Sequence, residues 1–416
     1  MHNETLIQAT RLSLAVSLFA GAPLVANADV ITDWNSKAAN IVVESKLGTP
    51  PAIRVMAIVQ SAVHEAVSAA SQRPAGQSVS VDAAVAAANR VSLAQLVPAQ
   101  QASIDAAYKA ALATIADGPD KAAGIAAGER AAAAILASRT NDSIAAADAY
   151  RPHTTAGAYV PTVSPAASQW SQRKPWLMSS ASQFRPGPPP PLTSEEWARD
   201  DNEVKVLGGK ISAQRSAEQT EIARFWEYSL PPIYNGVVRS VADRPGRDAL
   251  RNARLFAAVA QAMDDAMIGV FDAKYQYNFW RPVTAIRNGD TDGHDGTARD
   301  ASWTPFIDNP MHPEYPSAHS ILASAVGVVL KAEIGSGPMP TLTTTSASAK
   351  GAARRWASVD DFAREVSNAR VYEGVHYRFS TEVGAAMGRR IGELAVAKHL
   401  QAPAFSTISD RSLGVN

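Results

Sequence analysis

The chain has 416 residues, 46% of them hydrophobic, 19% charged and 7% aromatic, and its 39 Lys and Arg balance its 39 Asp and Glu. That length allows two or three structural units with a real core. The balanced charge argues against a binder of nucleic acid or anionic membrane, which needs excess Lys and Arg. The absence of cysteine removes disulfides, thiolate metal sites, iron–sulfur clusters, c-type haem and a Cys nucleophile.

The first residues read as an address. Arg11 precedes an apolar run from Leu12 to Val25, and Ala26-Asn-Ala28 supplies the small residues of a cleavage signal. The run is too short and broken to span a membrane. Residues 1–28 are therefore expected to be a secretory signal. The mature chain then starts at Asp29, has no membrane span, and is periplasmic or secreted.

Residues 29–150 are Ala-rich and read as a helical half. Ile53, Met56, Ala57, Val59, Ala62, Val63 and Val67 recur at helical spacing up to the break at Arg73-Pro74. Helical signals over 81–96 and 103–137 follow, and such small-residue faces would suit a homodimer. His64 has no second His one turn on, so it reads as structural. Residues 151–192 carry Pro161, Pro165, Pro175 and the run Pro188–Pro191, too many for a helix. They read as an extended connection, packed down by Trp170 and Trp176.

Residues 193–416 read as a C-terminal helical bundle. Capping boxes are expected at Thr193 with Glu196, Ser216 with Gln219 and Ser358 with Asp361. Long apolar helices are expected over 247–273, 321–331 and 381–400. No strand–helix alternation and no Gly-rich phosphate loop is seen, so the fold class is all-α. The run Asp290 to Ala301 is only faintly like a calcium loop, since its sixth position is not Gly and its twelfth is not Glu.

Three segments of this bundle carry chemistry: Lys274 through Trp280-Arg281-Pro282, His312 through Pro316-Ser317-Ala318-His319, and Arg370 through Gly374-Val-His376. A helix would put Lys274 and Arg281 on one face two turns apart, and an ammonium beside a guanidinium suits a tetrahedral oxyanion. Pro316-Ser317 before an apolar stretch places Ser317 at a helix N-terminus, where free N–H groups favour an anion. Arg370 adds a second guanidinium. His319 and His376 offer one imidazole for proton transfer and one for bonding.

The pattern K-x6-R-P, P-S-x-H, R-x5-H resembles the vanadium-dependent haloperoxidases and the wider type-2 phosphatidic acid phosphatase superfamily. Phe279-Trp280-Arg281-Pro282 and Gly374-Val375-His376 resemble the haloperoxidase branch. The resemblance implies helical bundles of the vanadium haloperoxidase / acid phosphatase type. It also implies vanadate as cofactor (phosphate can occupy the same site), with His376 bonding vanadium. Lys274, Arg281, Arg370, Ser317 and the Ala318 N–H would hold its oxygens, Lys274 would polarise bound peroxide, and His319 would be the acid–base group.

The implied partners are hydrogen peroxide and halide, with His312 favouring bromide or iodide over chloride. The alternatives in the same pocket are an acid phosphatase, with a phosphate ester as substrate and His376 as nucleophile, and a non-catalytic oxyanion binder. Two positions depart from the family. Ala318 stands where Gly is usual, and would narrow the site if the backbone there needed positive φ. Ser380 stands where an orienting Asp is usual, with Glu382 or Glu373 as the expected compensation.

Overall fold

The structure, a computed structural model, describes residues 29–72, 78–140, 142, 150–161 and 163–400. The expected signal at 1–28 lies outside them. Thirteen α-helices occur among the described residues. The first five are α1 (Val30–Glu44), α2 (Thr49–Ser71), α3 (Val81–Leu96), α4 (Gln101–Ala113) and α5 (Pro119–Ala137). After the connection come α6 (Glu195–Leu207), α7 (Ala217–Trp226), α8 (Pro231–Ala242), α9 (Ala249–Tyr277) and α10 (Pro282–Arg287). The last three are α11 (Ala318–Ile334), α12 (Val359–Tyr372) and α13 (Arg378–His399). None is long and apolar enough to cross a membrane.

Local chemistry explains the boundaries. Asp248 starts α9 by accepting the Arg251 N–H at 2.7 Å, and Ser216 with Gln219 forms a complete capping box on α7. Ser358 caps α12 by accepting the Asp361 N–H at 3.0 Å. The cap of α6 is Ser194, one residue beyond the expected Thr193, because its hydroxyl is the one that meets the Trp197 N–H. Among the described residues the fold is all-α apart from one short hairpin. Strands β1 (Leu342–Ser346) and β2 (Ala352–Trp356) form a small antiparallel hairpin, favoured by the Thr run on β1.

Helix α9 is the axis, buried along almost its whole length between α2 on one side and α11 and α13 on the other. One hydrophobic core runs from Ile31 and Trp34 through α9 to Ile391 and Ala395. The Pro-rich connection is tied to this axis: the N–H groups of Trp176, Leu177 and Met178 all donate to Asp265 at 2.7–2.8 Å. Helix α13 lies against α11 because Gly384 and Gly388 face its backbone. A Cβ at Gly388 would stand 2.2 Å from the Ile321 carbonyl oxygen, and one at Gly384 2.6 Å from that of Ser317. That close approach fixes the start of α11.

Candidate active site

The three chemical segments converge where α9, α11 and α12 end or begin. Lys274 and Arg281 do not share a helix face. Helix α9 stops at Tyr277, Asn278 takes a left-handed conformation at φ 48, and Arg281 is the N-cap of α10. Asn tolerates that conformation, so the chain turns and brings Arg281 back beside Lys274. Buried aromatics hold the turn: Phe279, Trp280, Tyr315 and Tyr377 pack in one cluster with Trp197 and Phe379. Trp197 stacks on Trp280 at 5.7 Å and Tyr377 on Phe379 at 5.2 Å. Each segment therefore carries a large apolar anchor next to its charged residue.

Lys274 is fully buried and donates to the carbonyls of Pro313 at 3.0 Å and Glu314 at 2.7 Å, leaving one of the three N–H bonds of an ammonium. Burial, with Arg281 next, holds its pKa well below the usual lysine range. Arg281 donates to the carbonyls of His312 (3.0 Å), Val375 (2.7 Å) and Pro313 (3.3 Å), to His312 Nδ1 at 3.0 Å and to His376 Nε2 at 3.3 Å. Burial lowers its pKa to about 10. Arg370 pairs with Glu373, whose carboxyl burial pushes up to about 8. The Arg370 Nε has no hydrogen-bond partner among the described residues.

Buried His376 is set by two contacts. Its Nδ1 lies 2.6 Å from Glu314 Oε1, and its Nε2 receives the Arg281 N–H. The carboxylate makes Nδ1 the protonated nitrogen, so Nε2 presents its lone pair. Burial, then Arg281 and Lys274, keeps the ring neutral by pushing its pKa far below the ordinary value. Ser317 caps α11, accepting from the Ser320 hydroxyl at 3.1 Å and weakly from its N–H at 3.4 Å. Ala318 is the first helical residue and is not among the positive-φ positions, so its methyl adds no strain there.

His319 is half-buried, and its Nε2 has no partner among the described residues. Burial, then Arg370 and Lys274, keeps it neutral. His312 lies edge-on to Phe271 at 5.2 Å. His312, Ala318, His319, Arg370 and His376 line a cavity of about 540 Å³. The start of α2 (Pro50, Pro51) and Trp170 of the connection line it as well, so both halves of the chain shape it.

The carboxylate that meets His376 has no signal in the sequence. Glu314 sits inside the His312 segment, yet its partner lies 62 residues away, and no local spacing links them. Glu373 was considered for orienting His376, but it is committed to Arg370. Glu382 is exposed. Among the described residues no three His, Asp or Glu gather to hold a bare metal ion. The donor set instead suits an oxyanion: cationic N–H groups for its oxygens and one neutral imidazole for its central atom.

Comparison with known proteins agrees with this geometry. Residues 254–403 match the VCPO second helical-bundle domain. Vanadium chloroperoxidase from Curvularia inaequalis is 31% identical over 170 residues, 33% of this chain and 28% of the relative, so the match spans under a third of that protein's length. The structure of a bacterial vanadium-dependent iodoperoxidase superposes with a TM-score of 0.77 at 24% identity, covering 88% of this chain and 95% of that one. A holo bacterial vanadium-dependent chloroperoxidase superposes at 0.65 with 18% identity, covering 92% and 95%. The chain thus shares the fold of these bacterial vanadium-dependent haloperoxidase structures, and its residues 254–403 match the VCPO second helical-bundle domain.

Proposed function

We propose that the protein is an exported vanadate-dependent haloperoxidase that oxidises bromide or iodide with hydrogen peroxide to hypohalous acid. The observation that carries this reading is the cage itself: Lys274, Arg281 and Arg370 surround a neutral His376 whose Nε2 lone pair is exposed to them. Vanadate bound there supplies a Lewis acid for peroxide activation. Arg281, Arg370, the Ser317 hydroxyl and the Ala318 N–H would hold its oxygens, and His376 Nε2 would bond its central atom. The remaining N–H of Lys274 would donate a hydrogen bond to the peroxide in the cage. His319 Nε2, without a partner among the described residues, would accept the proton that peroxide gives up and return it to the departing oxygen. The net reaction consumes peroxide, halide and one proton and yields hypohalous acid and water.

His312 supports the halide preference. It lines the cavity, its Nδ1 is engaged by Arg281, and its ring edge meets Phe271. One relative of the same fold is an iodoperoxidase. The test is a paired assay after dialysis against orthovanadate or phosphate. One arm supplies peroxide, halide and a halogen-trapping dye, and the other a chromogenic phosphate ester. Vanadate-dependent bromination, lost by more than about 100-fold in His376→Ala, is the expected result. Vanadate-inhibited phosphate release without bromination would make the protein an acid phosphatase. Silence in both arms with vanadate bound would make it an oxyanion binder.

A further inference from the structure

We propose that Glu314 is the positioning residue that fixes the tautomer of His376, doing from the His312 segment what the family resemblance would assign to a carboxylate at position 380. The proposal rests on the functional reading above only in taking His376 Nε2 as the bonding atom. Glu314 is fully buried, and its Oε1 accepts both His376 Nδ1 at 2.6 Å and the Tyr377 N–H at 3.1 Å. Its own main chain is fixed on both sides: its N–H donates to the Phe279 carbonyl at 2.9 Å, and its carbonyl accepts Lys274 Nζ at 2.7 Å. The carboxylate is therefore held by the same turn that shapes the cage.

The position of Ser380 explains why one carboxylate suffices here. Its Oγ lies 3.4 Å from the same His376 Nδ1, and it is fully buried. A carboxylate there and one at Glu314 would crowd two negative charges onto a single N–H. A hydroxyl leaves the acceptor task to Glu314 alone. Because Arg281 donates to Nε2, the imidazole must carry its proton on Nδ1, and Glu314 is the acceptor that keeps it there. The segment 312–314 thus sets three parts of the cage at once: Lys274 and Arg281 through its carbonyls, and His376 through its carboxylate.

The experiment reads tautomer and affinity rather than turnover. In the vanadate-free wild-type protein, 15N NMR of labelled imidazoles should report His376 protonated on Nδ1; protonation on Nε2 overturns the proposal without any variant. Glu314→Gln should mix the tautomers and weaken orthovanadate and inorganic phosphate binding by about 10–100-fold. Adding Ser380→Asp to that variant should restore the Nδ1 tautomer and bring both affinities back to within about threefold of wild type. An unchanged tautomer and affinity in Glu314→Gln, or a double variant no better than the single, overturns the proposal. Should Glu314→Gln fail to fold, the wild-type tautomer decides. Oxyanion affinity does not depend on peroxidase turnover, so failure of the haloperoxidase reading would show separately, in the bromination arm.

Discussion

The protein buries two clusters of charge, and they are built to opposite ends. In the first, Arg54 of α2 sits between Asp142 and Asp264, while Trp176 Nε1 donates to Asp264 at 2.7 Å and three main-chain N–H groups meet Asp265. Arg139 lies over the Trp176 ring at 3.5 Å. Carboxylates face cations and N–H donors of the protein itself, and the cluster staples the connection to α9. In the second, Lys274, Arg281 and Arg370 are held mainly by carbonyl oxygens, and the two nearby carboxylates face His376 and Arg370. Burial depresses Lys274 and Arg281 and raises Glu314 to about 7. The first cluster is closed by its own residues, whereas the second leaves cationic N–H groups for the oxyanion proposed above.

The sharpest way to break the comparison is to take the arginine out of the closed cluster. Arg54→Ala leaves Asp264 and Asp142 buried without their cation, and such a loss costs about 3–5 kcal/mol. Chemical denaturation should show that drop while the cage keeps its affinity for phosphate per folded molecule. A variant that unfolds at wild-type denaturant concentration would mean that the staple is not a stability element. The open cluster should respond to ligand instead. Phosphate or orthovanadate at 100 times its Kd should stabilise the wild type by about 2.7 kcal/mol. That gain should vanish in Arg281→Met and persist in Arg139→Met.

The two clusters also differ in how much of them could be read in the sequence. Helices α2, α9, α11 and α13 were legible because their apolar period is a local fact, as are the Asp248 cap of α9 and the Ser317 cap of α11. So was the Pro-Ser start of α11. The end of α9 was not, because its only stop signal is Asn278, a weaker mark than Gly or Pro. The hairpin at 342–356 lacks a strong apolar alternation, and its pairing rests on contacts with α8. The cations of the cage were visible as a spaced pattern. Glu314 and the Asp264–Asp265 anchor were not, since each is defined by a partner far along the chain: His376 for one, Arg54 and Trp176 for the other.

The smallest effect tests the closed cluster by pH. Burial raises the Asp265 carboxyl to about 6, even though three backbone N–H groups pull it down. Its folded pKa therefore lies above its unfolded value near 3.8, and the native state binds the extra proton between those limits. The stability this group contributes is present at the acid end and is lost as pH rises towards 6, after which it is flat. Between pH 4 and pH 6 the change is about 2 kcal/mol. Asp265→Asn cannot titrate, so wild type minus variant in unfolding free energy should fall by that amount across the interval and stay level from pH 6.5 to 8. A difference that rises with pH would mean that the three N–H donors outweigh burial, and that the staple holds an ionised carboxylate at every pH the fold survives.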